Sequence, residues 1–291
     1  MSVIIPCFNV EQYIEECLDS VLKQTYSKIE IICIDNNSVD KTFEKLNQFK
    51  DNYPDKIILD YEPKKGATAA RNKGLSLAKG KWIQFLDADD LLMPNKIEHQ
   101  LRLIENKIDV IYGASYKRSL NGNEELMPIN NNVILGLLST QLGNTCSNLF
   151  KKDKLIEIKG WDTNLVSSQE YDLMMRLYMA KSGFKMDLES LTIVRERKFG
   201  QISSNKNKWK TYLKIRLDFL NFLEFKGEEI KKEYLNAIFN AFINCAIYNK
   251  FYLFVQLTKR PNLFFKMRVK FFLRVIYNFL FVHKFNSKDM A

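Results

Sequence analysis

The chain has 291 residues, 46% apolar and 27% charged, which suits one large soluble domain, or one domain with a substantial appendage. Five cysteines without a CxxC pair and only two histidines argue against a disulfide framework and against a zinc site of His and Cys ligands. The net charge of +10 is uneven: residues 1–204 hold 27 basic against 28 acidic side chains, and residues 205–291 hold 17 against 6. That split predicts a boundary near residue 205 and two different jobs.

Ser2–Pro6 is a short apolar run and predicts the first strand. It begins almost at Met1 without a basic segment, so no secretory leader is expected and the thiols are expected to be reduced, in a cytoplasmic protein. Asn9 to Lys23 has helical spacing, with Tyr13, Cys17, Val21 and Ile14, Leu18, Leu22 on one side. Ile29–Ile34 is nearly continuous apolar sequence, as in a parallel strand covered on both faces. The polar turn Asp35–Ser38 follows, then a helix over about Asp40–Lys50. Ile57–Tyr61 predicts a strand, and Ala67–Ala78 a helix closed by Gly80. Trp82–Leu86 predicts a buried strand ending in Asp87-Ala88-Asp89-Asp90, and Pro94 opens a helix over about Asn95–Asn106. Further on, Val110–Ala114 and Leu191–Arg195 read as strands and Tyr171–Lys181 as a helix.

Four alternations of strand and helix with short links predict a doubly wound α/β sheet. Such sheets bind ligands at the carboxyl ends of their strands. Pro6–Asn9, Asp35–Ser38 and Asp87–Asp90 all fall at such ends, so one site is expected to collect all three.

These residues also resemble a known family. Ser2-Val3-Ile4-Ile5-Pro6-Cys7-Phe8-Asn9 is similar to the V-I-I-P-x-Y-N opening of family 2 glycosyltransferases. Asp35-Asn36-Asn37-Ser38-Val39-Asp40-Lys41-Thr42 resembles their D-D-x-S-x-D-x-T, and Gly66 to Gly74 their G-x-x-x-A-R-N-x-G. Asp87 to Asp90 resembles their D-x-D-D. Gly160-Trp161-Asp162 and Gln169-Glu170-Tyr171-Asp172-Leu173 resemble their later G-F-D and E/D-Y-x-L elements. The resemblance covers about residues 1–200. It implies a GT-A (Rossmann-like), mostly parallel sheet flanked by helices over residues 1–204. An α-helical region over residues 205–291 is expected to follow.

The implied reaction moves a sugar from a nucleotide-sugar donor, a UDP-sugar by the family's habit, onto a glycan hydroxyl with inversion. Negative charge grows on the leaving diphosphate, and a hard cation, Mn²⁺ or Mg²⁺, stabilises it through oxygen ligands. The resemblance implies that Asp89 binds the metal and that Asp87 faces the ribose or the metal shell. In an extended segment the two would point to one side. Asp90 suits a helix cap. Pro6, Asn9, Asp35, Asn36 and Ser38 would shape the nucleotide site, and Ala88 would line it. The family has two acids where this chain has Asp35 and Asn36, so Asn36 bears on which base is read; a turn or helix cap is the plainer reading of Asn37 and Ser38. Arg71 is expected at uracil or phosphate, or else in a surface ion pair. Glu170 stands where the family has its base, with Asp172 in reserve, although an acid also suits a helix N-terminus. Trp161 fits a sugar ring or the core. Where the family often has a His, sometimes as a further metal contact, this chain has Arg195, Arg197 and Lys198, which could face the diphosphate.

Residues 205–291 hold 20 of the 37 aromatic side chains, with helical patterns over Trp209–Phe225, Glu228–Tyr248 and Phe264–Val282. In the last, Lys266, Lys270, Arg274 and Asn278 form a polar stripe. Such a helix could lie on an anionic membrane surface at the inner face of the plasma membrane, pack on the first domain, or form a homodimer contact. Membrane contact would suit an acceptor carried on a polyprenyl diphosphate in bacterial surface polysaccharide assembly. Basic interruptions leave no run of about 20 apolar residues to span a bilayer. A nucleotidyltransferase would want a Gly-rich basic loop after strand one, which Pro6–Asn9 lacks. A nucleic-acid partner is not expected, since no such motif is present and Asp87–Asp90 would repel phosphate. A catalytically inactive relative that still binds nucleotide-sugar is the remaining alternative, kept open by Asn36.

Overall fold

A computed structural model describes residues 1–165, 167–197 and 208–246. The apolar runs become strands β1 (Ser2–Cys7), β2 (Glu30–Asp35), β3 (Ile57–Tyr61) and β4 (Trp82–Phe85). Between them lie helices α1 (Ile14–Leu22), α2 (Thr42–Asn52) and α3 (Ala67–Leu77). Next come β5 (Leu91–Leu92), α4 (Lys96–Arg102), β6 (Val110–Gly113), β7 (Ser115–Arg118), β8 (Glu124–Met127) and α5 (Val133–Ser139). β9 (Leu149–Lys151), α6 (Lys152–Glu157), α7 (Gln169–Met179), β10 (Phe184–Asp187) and β11 (Thr192–Arg195) follow.

One sheet has the order β10-β6-β9-β4-β1-β2-β3. β3, β2, β1 and β4 are mutually parallel, and so are β6 and β10. Only β9 runs antiparallel, between β4 and β6. The mostly parallel sheet flanked by helices is the expected α/β class, but the antiparallel β9 was not legible: three residues carry no period. A second sheet, β5-β11-β7-β8, was likewise not foreseen. It places β11 beside the short β5 that follows the acidic segment.

Strands β1 and β2 sit in the middle of the large sheet, covered on both faces, with Val3, Ile4, Ile5, Ile32, Cys33 and Ile34 fully buried. Ile14, Cys17, Leu18 and Val21 pack the apolar stripe of α1 onto them. On α3, Gly74 lies so close to β1 that a Cβ there would collide with Ile4. Pro6 is tolerated in a central strand because pairing of β1 with β4 ends at Ile4, so no ladder bond is lost there.

Helix boundaries differ from the periodicity by two residues at α2 and α7 and by more at two places. α1 starts at Ile14, not Asn9, because Asn9 is left-handed (φ 50°) and the Val10 carbonyl accepts from both Tyr13 and Ile14. α4 ends at Arg102, where Leu103 turns tighter to bond Gln100.

The chain divides into two compact units, Met1–Asn205 and Lys206–Ala291. In the second, α8 (Lys208–Phe225) and α9 (Lys232–Ala246) pack on each other. The helix pattern over Phe264–Val282 lies outside the described residues. No helix among the described residues is long and apolar enough to cross a membrane.

Candidate active site

The carboxyl ends of β1, β2 and β4 lie along one edge of the sheet, because these strands are parallel. A cleft of about 570 Å³ opens there. Pro6, Phe8 and Val10 line it from the first loop, and Asn36 from the second. Lys65, Gly66, Ala67 and Arg71 line it from the start of α3. Asp87, Ala88, Asp89 and Asp90 form one wall, and Val194, Arg195 and Arg197 another. So the three polar clusters meet, as their positions in the chain imply.

The first two loops are tied to each other. The Asn9 amide donates to Ser38 Oγ (3.2 Å), and Asn9 Oδ1 accepts from the Val39 amide (2.9 Å). Asn9 and Asn37 both have left-handed backbones (φ 50° and 69°), a conformation that Asn adopts more readily than most residues. Asp35 is buried. Its Oδ2 accepts from the Ser38 amide at 3.4 Å, and its Oδ1 is enclosed with no hydrogen-bond partner. Asn36 faces away from solvent and grips the loop before α3. Its Nδ2 donates to the carbonyls of Glu62 (2.7 Å) and Lys64 (2.8 Å), and its Oδ1 accepts from the Gly66 amide (2.7 Å). Gly66 (φ 127°) starts α3 from a backbone that a side chain would strain.

The acidic segment is a turn rather than an extended strand, closed by the Asp90 amide on the Asp87 carbonyl (2.9 Å). Asp87 and Asp89 still share the cleft wall. Asp90 is buried: its Oδ1 accepts from the Arg195 amide (2.9 Å) and its Oδ2 from the Cys146 thiol (3.0 Å). Cys146 Sγ also accepts from the Asp87 amide at 3.2 Å. Burial, then the charges of Asp90 and Asp87, push the Cys146 thiol well up, so it keeps its proton and stays a donor. Burial, then the neighbouring Asp87, also raises Asp89, while Arg197 and Arg195 pull the other way. Asp87, Asp90 and Cys146 offer ligand atoms within 4.8 Å of one another. Yet a protonated thiol and a carboxylate with both oxygens engaged suit a brace better than a ligand set. The hard oxygen donors that face the cleft are Asp87 and Asp89, and they fit a hard divalent cation.

Arg71 is buried, and its Nη2 donates to Asp87 Oδ1 at 2.6 Å. Its guanidinium lies 4.6 Å from the centre of the Trp161 ring. Arg71 therefore holds Asp87 in an internal ion pair rather than a surface one. Trp161 is a buried aromatic that packs edge-on to Phe85, and its backbone is fixed on both sides by Asn72. Its Nε1 has no hydrogen-bond partner.

Glu170 stands in the first turn of α7, after a left-handed Ser168 (φ 56°). Its Oε1 is enclosed without a partner. Burial, then the charge of Asp87, pushes this carboxyl well above the ordinary range, against the pull of Arg71. Asp172 is engaged elsewhere. Its Oδ2 pairs with Arg176 at 2.7 Å, and Arg176 in turn donates to the carbonyls of Ile158 and Gly160. That chain of bonds shapes the loop leading into Trp161.

Two arginines complete the site. Arg195 donates to the Asp89 carbonyl and pairs with Glu16. Arg197 reaches Asp89 Oδ2 at 3.4 Å and donates to the Asn9 carbonyl at 3.1 Å. Both guanidinium groups lie 5.2 Å from the centre of the Tyr13 ring. Lys198 falls outside the described residues. Tyr13 and Cys146 were not singled out in the sequence. One looks like a helix residue, and the other sits in a stretch without periodicity.

A mostly parallel sheet of this order, carrying an acidic turn and a basic wall at its carboxyl edge, is the architecture of the GT-A fold. The model of the glycosyl transferase family 2 matches residues 2–165, more than half of the chain, and the chain belongs to that family. An uncharacterized glycosyltransferase of Rickettsia bellii is 31% identical over 217 residues, 71% of this chain and 31% of that protein. WfgD of Escherichia coli, a UDP-Glc:alpha-D-GlcNAc-diphosphoundecaprenol beta-1,3-glucosyltransferase, is 39% identical over 137 residues, 47% of this chain and 49% of that protein. The matched part thus spans about a third to a half of these relatives. Among solved structures, TarS of S. aureus in complex with UDP-GlcNAc superposes with a TM-score of 0.61 at 19% identity, over 83% of this chain and 80% of that one. The mannosyltransferase PcManGT of Pyrobaculum calidifontis, with GDP-Man and Mn²⁺, gives 0.60 at 15% identity, over 91% and 80%. These two share the fold.

Proposed function

We propose that this chain is an inverting glycosyltransferase that moves a sugar from a nucleotide-sugar, a UDP-sugar, to a hydroxyl of an acceptor glycan, with a divalent cation. The observation that carries the reading is Glu170 Oε1, enclosed without a partner and under the charges of Asp87 and Arg71, which line the cleft. A buried acid that lacks a partner is costly unless a ligand uses it.

Mn²⁺ or Mg²⁺, held by Asp89 and Asp87, would supply positive charge to the leaving diphosphate. Arg71 keeps Asp87 oriented. Asp35 Oδ1, buried and free to accept, would take the base, with Pro6, Asn9 and Ser38 framing the loops around it. Ala88 lies in the floor of the acidic turn. Asn36 acts through the loop that it grips, so its part in reading the base is indirect. In a single in-line displacement the acceptor oxygen bonds the anomeric carbon as the bond from that carbon to the phosphate oxygen breaks. Glu170 takes the hydroxyl proton, and a nucleoside diphosphate leaves. Burial makes Glu170 a stronger base than a solvated carboxylate. Asp172, paired with Arg176, positions the Trp161 loop.

The acceptor named for the E. coli relative is carried on diphosphoundecaprenol. A lipid-borne acceptor of that class, in bacterial surface polysaccharide assembly, would bring the enzyme to the inner face of the plasma membrane. Residues 205–291, basic and aromatic in sequence, would supply contacts for anionic headgroups, or for a second copy of the chain.

Calorimetry with UDP, GDP, CDP and dTDP, each with and without Mn²⁺, tests the reading. Metal-dependent binding of UDP is expected. Glu170→Gln is expected to keep that binding and to lower sugar transfer by about 10²-fold or more. Failure of every nucleotide to bind would overturn the assignment.

A further inference from the structure

Arg195 and Arg197 stand on the same wall of the cleft but are held differently. Arg195 is anchored by structural partners: its amide on Asp90, its side chain on the Asp89 carbonyl and on Glu16. Arg197 has one carbonyl bond, at 3.1 Å from Asn9, and one carboxylate, Asp89, at 3.4 Å. That second distance is longer than the ~2.8 Å of a close charged hydrogen bond, so the pair is loose. Both members are mostly shielded, with 17% of the Arg197 side chain and 18% of that of Asp89 exposed. The partner of Arg197 is thus the carboxylate assigned above to the cation.

We propose that Arg197 is an internal cation that competes for Asp89 and keeps a divalent ion from binding alone. It then transfers to the diphosphate when ion and nucleotide arrive together. The proposal rests on the functional reading above. An ion on Asp89 would set its double positive charge beside the guanidinium, a strong repulsion in a shielded cleft. A diphosphate reverses the sign. Its oxygens offer the planar fork of arginine two acceptors at once, a better partner than a carboxylate oxygen at 3.4 Å. The Tyr13 ring beside the guanidinium gives the side chain a bench along which to move. The consequence is an order of events: the ion enters with the nucleotide.

The test is calorimetry on the full chain and on Arg197→Met and Arg197→Lys. Two titrants are compared, Mn²⁺ alone and UDP in saturating Mn²⁺, with thermal unfolding as a check on folding. Arg197→Met is expected to tighten Mn²⁺ alone about fivefold, since a partly shielded ion pair no longer competes. The same variant is expected to weaken UDP with Mn²⁺ about tenfold, as a charged hydrogen-bond pair is lost. Arg197→Lys, which keeps the charge without the fork, is expected to leave Mn²⁺ alone near wild type and to weaken UDP. Opposite signs for the two titrants are the signature. An unchanged or weaker affinity of Arg197→Met for Mn²⁺ alone overturns the proposal, and so does a parallel loss for both titrants. If Arg197→Met does not fold, Arg197→Gln, which also removes the charge, decides by the same contrast. If the wild type binds no nucleotide, the functional reading fails, while the Mn²⁺ titration still reports on Arg197 and Asp89.

Discussion

Lys96 opens α4 yet is fully buried, and its ammonium donates to Gln84 Oε1 on β4. Burial lowers its pKa from 10.5 to about 7, against the pull of Asp187 and Cys146. The amide of Gln84 continues to the Cys146 carbonyl, so the lysine braces the segment that supports the acidic turn. A lysine whose pKa is lowered by folding binds fewer protons folded than unfolded between the two values. Stability should therefore rise as pH climbs from about 7 towards 10.5, and the full penalty is present below about 7. Lys96→Met removes this penalty but leaves Gln84 Oε1 unpartnered. Its net stability near pH 7 is thus the smaller effect, and its pH dependence the larger. Urea unfolding near pH 7 and near pH 9.5 should show the wild type gaining up to about 3 kcal/mol relative to the variant. Parallel pH profiles for the two proteins would mean that Lys96 is charged in the folded state at both pH values.

The loop before α3 gives the element scale its case. Asn36 holds three groups of Glu62–Gly66 with one side chain, and Gly66 enters α3 from φ 127°. Asn36→Leu keeps much of the volume but leaves the Lys64 carbonyl and the Gly66 amide without partners in a part-buried place, while Asn37 Nδ2 still reaches the Glu62 carbonyl, a loss of about 1–3 kcal/mol. Urea unfolding should register that loss. Nucleotide binding should weaken as well, because Lys65, Gly66 and Ala67 line the cleft. Asn36→Asp would retain the Gly66 bond and set a carboxylate against two carbonyls, so it too should destabilise. The residue type at this position was legible in the sequence, but its task was not. A polar side chain after a strand reads equally as ligand contact and as loop tie, and only the fold brings Glu62 and Gly66 alongside. Long-period elements were the readable ones. β1, β2 and α3 follow from continuous apolar runs and helical spacing, whereas β5 and β9, with two and three residues, have no period to read. That Asp87 and Asp89 share one wall of the cleft could be read from the residues themselves, although their backbone is a turn. Cys146 joins Asp87 and Asp90 only through tertiary contact between distant segments.

At the scale of the whole molecule, all eleven described strands and every residue lining the cleft belong to the unit Met1–Asn205. The basic excess belongs to the other unit, where 17 Lys and Arg meet 6 Asp and Glu in residues 205–291. If the two jobs are separable, a chain ending at Asn205 should unfold cooperatively and bind UDP with Mn²⁺ as the full chain does. It should lose affinity for vesicles that contain anionic lipid. Each basic side chain near such a surface contributes about 1 kcal/mol, so even a few in contact would dominate vesicle binding. That binding should fall steeply as salt is raised, since the Debye length shrinks to about 3 Å at 1 M. Vesicle co-sedimentation of both chains, with and without anionic lipid, reads the difference. Equal sedimentation would move the membrane contact to the first unit. A full chain that ignores anionic vesicles but changes oligomeric state on truncation would make residues 205–291 a self-association region instead.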